Sequence, residues 1–373
     1  MTRRSGRAVD RDRRIVRALC AWFAEHRRDL PWREVGPGGR RDAYRSLVSE
    51  IMLQQTQVAR VEEKFGPFLD RFPTVHDLAA APIDDVLALW SGLGYYRRAR
   101  NLHRCAQDIV KRFGEVPESA EDLETLPGVG RYTAGAVASI VFDAPAPIVD
   151  GNVTRVLLRL EGEDLDPKDA QTVVFCWSRA DELVSTAARS RTPGVSPGVF
   201  NEATMELGAL VCTPKTPGCD RCPLNGACVA RRDGREHQIP RPKRAAAKRP
   251  LHMASLLVRD ANGRFLVEQR PGTGLWAGIW QPPTLESDRP IRKSAVAKHF
   301  GVASEALSRD DAKLEGLVWE TSHRTVHVSV YRSGSPPRNT SERRWLTERE
   351  LDRRALGSLQ RRILFGTDAV EGR

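Results

Sequence analysis

The stretch Leu126-Pro-Gly-Val-Gly-Arg-Tyr-Thr-Ala-Gly-Ala136 decides how the first half of this chain folds. It follows Ser119-Ala-Glu-Asp122, a pattern typical of a helix start, and it breaks and restarts a helix across two glycines. Gly128 and Gly130 would let backbone N–H groups come close to an anion at the start of the second helix, which suits a DNA phosphate. The stretch therefore predicts a helix-hairpin-helix, with a plain helix–turn–helix connection as the alternative.

Apolar residues recur every three or four positions on both sides of this hairpin, for example at Ile15, Leu19 and Phe23. The same period continues over residues 153–160 and 171–186, and short breaks containing Pro or Gly separate the segments. This is the period of helices that bury one face. We therefore predict an all-α domain over residues 9–230.

The pattern changes after a basic segment. Residues 231–250 contain eight Arg or Lys, two acidic residues and three prolines, a composition typical of a linker. Beyond it, apolar residues alternate at period two, and residues 254–260 and 265–270 flank the turn residues Asn262-Gly263, which predicts a β-hairpin. We predict a second, α+β domain over residues 251–366, so the fold class is multidomain.

The length and composition of the chain agree with two domains and indicate which type of partner it binds. The 373 residues are too many for one ordinary core, and the chain lacks the run of about 18 apolar residues that a membrane span needs. The 59 basic residues outnumber the 48 acidic ones and include only nine lysines, so guanidinium groups that bind phosphate bidentately dominate. This suggests a nucleic-acid partner, although a codon bias without functional meaning explains the composition equally well. Because no leader-like segment is recognised, we expect a cytoplasmic protein. We also expect it to be bacterial, monomeric and associated with the nucleoid.

Four of the seven cysteines are crowded into one short segment of 17 residues. They are Cys212, Cys219, Cys222 and Cys228, spaced as C-x6-C-x2-C-x5-C. Disulfides are rare in a reducing cytosol, so four thiolates on one loop predict a metal centre. Structural zinc usually shows two close cysteine pairs, and the ferredoxin run is absent too. The spacing alone leaves zinc and iron–sulfur open.

Two acids are weak signals by themselves. Asp150 precedes a predicted helix in Asp150-Gly-Asn-Val-Thr154 and is most simply interpreted as a helix N-cap. Glu50 lies at the edge of the apolar face formed by Leu47 and Ile51, where partial desolvation would favour its protonated form, although alone it would be an ordinary surface glutamate. One proton donor and one carboxylate are the pair that glycosidic hydrolysis requires.

Together, the hairpin, Asp150 and the cysteine loop are similar to the endonuclease III superfamily of base-excision DNA glycosylases. Four further stretches resemble the MutY family of adenine DNA glycosylases within it: residues 30–33, 49–58, 92–102 and 149–153. The resemblance covers about residues 10–230. It implies that the cysteine loop holds a [4Fe-4S] cluster. It also implies that the partner is double-stranded DNA with adenine opposite 8-oxoguanine or guanine.

The resemblance assigns roles to individual residues. It implies that Glu50 protonates N7 of adenine and later activates water. Asp150, held ionised by the helix N-terminus, would stabilise or covalently trap the sugar cation, and Tyr132 and Asn152 would orient it. Glu202 would be a supporting acid. Bifunctional relatives carry at the position of Tyr132 a lysine that forms a Schiff base, so this chain is expected to be monofunctional.

The resemblance also assigns residues to DNA. A stacked adenine is out of reach, so the nucleotide must be flipped out of the duplex. Gln55 and Tyr95 match the intercalating residues of the family, and Leu30, Trp32 and Arg33 match the wall of its adenine pocket. Core packing explains Trp32 equally well.

Residues 274–283 resemble the Nudix-like C-terminal domain of the MutY family. A Nudix hydrolase needs several glutamates on one helix to hold Mg²⁺, whereas residues 291–301 are basic, so nucleotide hydrolysis is not expected. In the family, a Phe-Ser-His loop of this domain reads 8-oxoguanine. Here Thr321 replaces the Phe, and Ser322 and His323 keep the hydrogen-bonding groups.

Two other functions stay open. A related glycosylase, such as a thymine–guanine mismatch enzyme, would lack the Nudix-like part, so residues 254–331 argue against it. A catalytically silent iron–sulfur DNA-binding or redox module would not need both Glu50 and Asp150. The chain departs from the family pattern at Ala43, where proline is usual, and in an added loop over residues 36–41.

Overall fold

The first part of the chain folds into helices, as the apolar period predicts. The computed structural model describes residues 6–36, 39–241, 247–309, 317–321, 323–337 and 343–366. The helices up to residue 241 are α1 (Gly6–His26), α2 (Ala43–Leu53), α3 (Val58–Arg71), α4 (Val75–Ala80), α5 (Ile83–Leu89), α6 (Arg97–Arg112), α7 (Ala120–Glu124), α8 (Arg131–Phe142), α9 (Gly151–Glu161), α10 (Ala170–Ala188), α11 (Pro197–Leu210) and α12 (Val229–Arg232). The predicted all-α character of this region is confirmed.

The strands all lie in the C-terminal part. They are β1 (Arg249–Leu257), β2 (Phe265–Gln269), β3 (Trp280–Gln281), β4 (Thr284–Ser287), β5 (Leu307–Arg309), β6 (Val318–Glu320), β7 (Arg324–Ser333) and β8 (Arg343–Leu346). In the described part of this segment, three α-helices accompany them: α13 (Lys293–Phe300), α14 (Glu348–Asp352) and α15 (Ser358–Phe365). The α+β prediction is confirmed.

These strands form two sheets. One has the order β4-β1-β7-β5, with β6 also paired to β7, and the other has the order β3-β2-β8. The central pair, β1 and β7, is parallel, with Leu251 opposite Val326. Both residues are buried, so the register places apolar side chains of both strands in one core.

The predicted β-hairpin forms only next to its turn. Gly263 has a φ of +75°, and its N–H donates to the Asp260 carbonyl. Beside this turn the arms are joined by the antiparallel bridge of Arg259 and Phe265 and by hydrogen bonds from the Asp260 N–H to the Arg264 carbonyl and from the Leu266 N–H to the Val258 carbonyl. The arms separate because β1 pairs with β4 and β7, whereas β2 pairs with β3 and β8 in the other sheet.

Chain contacts divide the protein into two units that differ from the predicted domains. The first contains Met1–Ala79 and Arg104–Arg244, and the second contains Ala80–His103 and Ala245–Arg373. Tyr96 belongs to the second unit because its hydroxyl donates to the Leu356 carbonyl at 2.8 Å. Ile239 is 1% exposed in the core of the first unit. The predicted linker over residues 231–250 therefore includes residues that belong to the first unit.

One large apolar cluster of the first unit is formed mainly by α1 and α8 to α11. Large side chains such as Ile15, Leu19, Leu158 and Phe200 fill it. The second unit has two apolar clusters, one around Phe265 and the other around residues such as Leu256 and Phe300. Of the helices that the structure describes, none combines the length and the apolar character needed to cross a membrane.

Candidate active site

Glu50 occupies a buried position on α2. This helix begins after Asp42, whose side chain accepts a hydrogen bond from the Arg45 N–H at 2.7 Å. Leu47 and Ile51, three residues before and one residue after Glu50, are each 1% exposed, and Glu50 itself is 8% exposed. The apolar face of the helix therefore carries a carboxyl group into the interior.

Burial raises the pKa of Glu50 to about 7, because loss of water penalises the charged form. A hydrogen bond with the Tyr132 hydroxyl opposes this rise, and so does the charge of Arg33, while Glu202 and Asp150 add to it. A carboxyl group with this pKa is partly protonated at neutral pH. It can therefore donate a proton, which an ordinary glutamate at the surface rarely can.

Tyr132 lies in the first turn of α8, directly after the glycine hairpin. Its hydroxyl group hydrogen-bonds with Glu50 and lies 2.9 Å from the Sδ atom of Met205. Burial, followed by the charges of Glu50 and Asp150, raises the pKa of Tyr132 well above its usual range. The side chain is therefore a neutral phenol, fixed against the carboxyl group of Glu50.

The two glycines of the hairpin, Gly128 and Gly130, differ in whether the fold requires glycine. Gly128 has a φ of +79°, a left-handed conformation that favours glycine. Gly130 is the N-cap of α8 with a φ of −98°, and a Cβ atom there would meet nothing within 4 Å. The fold alone does not require glycine at position 130, whereas a ligand that approaches this backbone closely would. The first turn of α8 also leaves N–H groups without helical acceptors, which is the predicted phosphate contact.

Asp150 is the N-cap of α9, and its Oδ1 atom accepts a hydrogen bond from the Val153 N–H at 2.7 Å. Burial raises the pKa of Asp150, whereas backbone N–H groups of Val153 and Asn152 and the charge of Arg155 oppose the rise without cancelling it. The helix N-terminus favours the carboxylate, as the sequence suggests. Desolvation, which the sequence does not show, is the larger effect.

A buried network of arginines and glutamates lies beside these carboxyl groups. Arg33 donates from Nε to Oε1 of Glu202 at 3.1 Å and from Nη2 to Oε2 of Glu206 at 3.1 Å. Arg41 binds Glu202 with both Nη atoms, at 2.8 and 2.7 Å, and Arg28 binds Glu206 with Nε and Nη2. Although burial acts against it, hydrogen bonds from Arg28 and Arg33 lower the pKa of Glu206 to about 2.

Three members of this network, Arg28, Arg41 and Glu206, are not singled out by the sequence analysis. One signal for Glu206 is available: it lies four residues after Glu202, on the same face of α11. Arg41 ends the added loop, whose contacts cannot be inferred from the sequence. The bidentate pairing of Arg41 shows that this loop contributes to the site.

One cavity of 660 Å³ joins most of the predicted residues. Its lining includes Leu30, Trp32, Arg33, Glu50, Gln55, Gly130, Tyr132, Asp150, Asn152 and Glu202. Leu30 and Trp32 are 8% and 7% exposed, so they serve both the core and the wall of the cavity. The volume lies within the range of small-molecule sites and has room for a nucleobase.

Asn152 is held by a side chain that also reaches the cysteine loop. Arg155 donates from Nη2 to Oδ1 of Asn152 at 2.8 Å and to the Gly208 carbonyl at 2.8 Å, and from Nε to the Cys212 carbonyl at 2.7 Å. Gly208 lies so close to Asn152 that an added Cβ atom would be 2.7 Å from the Asn152 Cβ. The glycine therefore sets the separation of α9 and α11 at the cavity.

The two residues predicted to intercalate share an unusual backbone. Gln55 has a φ of +57° and Tyr95 a φ of +47°, values that are uncommon for residues other than glycine. Gln55 is exposed at the end of α2, and Tyr95, in the second unit, is 49% exposed. Strain of this kind concentrates at functional sites. The intercalating role of both residues stays a prediction.

The four cysteines lie between α11 and α12 and are partly buried. Burial raises the pKa of Cys222, and the neighbouring Cys212, Cys228 and Cys219 raise it further, so the four sulfur atoms lie near one another. Arg159 donates to the Cys212 Sγ at 3.4 Å. Across the described ranges, no three Cys, His, Asp or Glu side chains meet in a way that could hold a single metal ion.

The predicted lesion-reading loop is only partly described. Ser322 lies outside the described residues. The Thr321 hydroxyl donates to the Arg324 carbonyl at 3.0 Å and accepts the Arg324 N–H, so Thr321 closes the turn between β6 and β7 and does not act as an apolar wedge. His323 is exposed, and its carbonyl accepts the Arg249 N–H. On α13, the sequence Lys293-Ser-Ala-Val-Ala-Lys-His-Phe300 has no carboxylate to hold Mg²⁺.

The sequence and the structure are similar to those of known DNA repair proteins. Residues 48–180 match the family described as HhH-GPD superfamily base excision DNA repair protein, and residues 254–365 match the NUDIX domain. The adenine DNA glycosylase of Rattus norvegicus is 35% identical, over 93% of this chain and 76% of its own length. That of Homo sapiens is 34% identical, over 93% of this chain and 72% of its own length. The structure of a thermostable thymine-DNA glycosylase matches with a TM-score of 0.52 and 27% identity, over 61% of this chain and 99% of that one.

Proposed function

The chain belongs to the family of adenine DNA glycosylases, and from this premise we propose that it removes adenine paired with 8-oxoguanine or guanine by hydrolysis, without cutting the strand. The observation that carries the proposal is Glu50, whose pKa of about 7 makes it a proton donor at neutral pH. Asp150 lines the same cavity and supplies the second carboxyl group. The chain is thus a DNA glycosylase with the pair of groups that N-glycosidic hydrolysis requires.

Glu50 acts first in the proposed reaction. Adenine is a poor leaving group until its ring accepts a proton, and protonation at N7 by the Glu50 carboxyl lets the bond to the sugar break. The proton donor becomes a carboxylate in this step. The same carboxylate then takes a proton from the water that attacks the sugar, which returns Glu50 to its starting state.

Asp150 faces the positive charge that develops on the sugar. Its carboxylate would stabilise the oxocarbenium-like cation electrostatically or trap it as a covalent ester, which water then hydrolyses. Asn152, held by Arg155, and the Tyr132 hydroxyl would fix the sugar against Asp150. Glu202 and Arg33 would hold the adenine edge, since both line the cavity and are fixed in the buried network.

Tyr132 carries the proposal that the enzyme is monofunctional. A lyase needs an amine that attacks the sugar C1′ and forms a Schiff base. The side chain at this position is a phenol whose pKa is well above its usual range, because burial and the neighbouring carboxyl groups disfavour the phenolate. It has neither the amine nor a charged oxygen for such an attack.

The cysteine loop is the proposed site of a [4Fe-4S] cluster. Cys212, Cys219, Cys222 and Cys228 would hold it, and the cluster would supply a rigid, redox-capable anchor for the loop. Four soft sulfur donors suit iron–sulfur chemistry. The resemblance to the endonuclease III superfamily, in which such a loop holds this cluster, is what favours iron–sulfur over zinc here.

The second unit carries the proposed recognition of the opposite base. The exposed His323, with Ser322 beside it in sequence, can offer hydrogen bonds to the groups that distinguish 8-oxoguanine from guanine. One good polar contact to a base is worth about 1–3 kcal/mol of discrimination. The Thr321 turn leaves this recognition to polar groups.

A single-turnover assay with the full chain tests the proposal. Duplexes that pair adenine with 8-oxoguanine or with guanine should release adenine, and the strand should break only after treatment with base. Metal analysis should find iron, and Cys219→Ser should lose it together with the visible absorbance of the protein. Removal of thymine from a G:T duplex with adenine left in place would overturn the substrate. One zinc per chain and no iron would overturn the cluster.

A further inference from the structure

A second concave surface of the first unit is strongly basic. A cavity of 410 Å³ lies between α1 and the end of α10. It is lined by Val9, Arg13, Val16, Arg17, Thr186, Arg189, Ser190, Arg191 and Thr192. Four of these nine residues are arginines and none is acidic. We propose that this cavity, named here the arginine cavity, binds a phosphate-bearing ligand.

The charges of the arginine cavity are largely uncompensated. Arg17, Arg189 and Arg191 make no ion pair within the described ranges, and Arg13 has only an exposed contact with Asp10 at 3.5 Å. Such a contact contributes little in water. The four guanidinium groups are therefore available to an outside anion.

The arrangement costs stability until an anion is present. Arg13 and Arg17 are four residues apart on α1, so they lie on the same face and repel each other. Arg189 and Arg191 bring two more positive charges from the segment that follows α10. A bound phosphate would relieve this repulsion and accept charge-assisted hydrogen bonds.

Hydroxyl groups complete the cavity. The Ser190 Oγ accepts the Thr192 N–H at 3.2 Å, which leaves its own proton for a ligand oxygen. The Thr192 side chain offers another hydroxyl group to the same space. Guanidinium and hydroxyl donors without a carboxylate suit phosphate oxygens.

The arginine cavity is distinct from the candidate active site. The first turn of α11, which follows the loop after α10, is joined to the C-terminal end of α8, because the Gly198 N–H donates to Oδ1 of Asp143 at 3.2 Å. The hairpin with Gly128 and Gly130 lies at the N-terminal end of the same helix, about 18 Å away at 1.5 Å per residue. None of the residues that line the arginine cavity lines the active-site cavity.

Titration calorimetry of the full chain with inorganic tripolyphosphate tests the site at low salt. We expect saturable binding of one anion per chain. Arg17→Ala/Arg189→Ala should weaken it at least about 10-fold, since a hydrogen bond to a charged group is worth about 1.5–3 kcal/mol. The matched control is Arg14→Ala/Arg104→Ala, which removes two exposed arginines outside the cavity and should leave binding within about 2-fold.

The same phosphate chemistry could come from a nucleic-acid backbone or from a free phosphorylated molecule, and a fully paired duplex distinguishes them. If the duplex displaces tripolyphosphate, the source is a backbone, and the cavity variant should lower the salt slope of duplex binding by about 2. If it does not, the source is a small molecule. Absence of saturable binding, or equal loss in both double variants, would overturn the proposal.

Discussion

The carboxyl group of Glu50 is buried, where its charged form is disfavoured. This burial affects the stability of the folded protein as well as the reaction. The pKa of Glu50 is raised to about 7 in the folded protein, above the value of an exposed glutamate. The folded state therefore holds a proton that the unfolded state releases between about pH 4 and pH 7. The contribution of this proton to the stability of the folded state is complete below about pH 4 and is lost as the pH rises through 7.

The first prediction follows from this pH dependence. Glu50→Gln keeps the shape and removes the charge, so the variant should be more stable than the original protein at pH 8, by on the order of 3 kcal/mol. The difference should shrink towards zero near pH 4. Urea unfolding at several pH values measures it. A difference that does not change with pH would show that Glu50 is not the buried titrating group.

Arg41 gives a second prediction at the residue scale. Its two Nη atoms bind both carboxylate oxygens of Glu202, which is buried, and the Arg41 side chain is only 12% exposed. Arg41→Ala leaves Glu202 with one partner, Arg33, and should lower stability by about 2–3 kcal/mol. Arg41→Lys keeps the positive charge but cannot bind both carboxylate oxygens with two N–H groups in one plane, so it should recover part of the lost stability.

A double-mutant cycle separates this pairing from general effects of the loop. If Arg41 acts through Glu202, the costs of Arg41→Ala and Glu202→Gln should differ from additivity by more than about 1 kcal/mol in urea unfolding. Additive costs would mean that Arg41 serves the loop and not the site.

At the scale of helices, Gly208 controls how closely α9 and α11 approach. A Cβ atom on residue 208 would lie 2.7 Å from the Cβ of Asn152 and 3.3 Å from its backbone carbonyl carbon and oxygen. Gly208→Ala should therefore cost about 1–3 kcal/mol, although alanine favours a helix. It should also slow adenine excision, because Asn152 must move. Thermal unfolding and single-turnover excision measure the two effects.

The exposed Ala209 provides the control in the same turn. Ala209→Gly changes helix propensity without a close contact, and it should cost no more than about 1 kcal/mol. If Gly208→Ala proves as mild as this and leaves excision unchanged, the close approach of the two helices is not required.

The helices show what periodicity can and cannot predict. Apolar residues such as Ile15 and Leu19 mark the buried face of α1 correctly, because a helix needs only local spacing to be recognised. The hairpin at Gly263 does not extend beyond its turn, because β1 pairs instead with distant strands such as β7, which is about 70 residues away. The turn is local and is predicted, whereas the sheet is not.

The residues of the candidate active site also differ in whether a local sequence pattern can predict them. Glu50 and Asp150 follow from a resemblance of motifs, and the structure adds the burial that makes Glu50 a proton donor. The network of Arg41 and Glu206 joins segments that are more than 160 residues apart, so no local pattern shows it. Gly130 is predicted by the hairpin pattern, but the fold itself does not require glycine there, because a Cβ atom would meet nothing within 4 Å.

For the whole molecule, the division into two units means that lesion recognition should be tested in the full chain and not in a truncated one. Residues 80–103 group with the C-terminal part, and both Ser91 and Tyr96 donate to the Leu356 carbonyl. A chain that ends near residue 232 would lose these partners as well as the proposed lesion-reading loop. A loss of specificity after truncation would therefore have two causes.

His323→Ala in the full chain avoids this problem. It removes the exposed imidazole, and the backbone carbonyl that accepts the Arg249 N–H remains. The preference for adenine opposite 8-oxoguanine over adenine opposite guanine should fall about 10-fold, the value of one polar base contact. Excision opposite both bases is compared at one salt concentration. An unchanged preference would place lesion reading in other residues.

If a buried, protonated Glu50 drives base release, single-turnover adenine excision must depend on pH in a way that reflects the protonation of this one group. The rate of the original protein should fall about 10-fold per pH unit above pH 7, because the protonated fraction of a group with a pKa of about 7 falls by that factor. Glu50→Gln should be slower by at least about 10²-fold at pH 7 and should lose this decline, while it still binds the duplex. Excision by Glu50→Gln at the original rate, with the same decline above pH 7, would contradict the account.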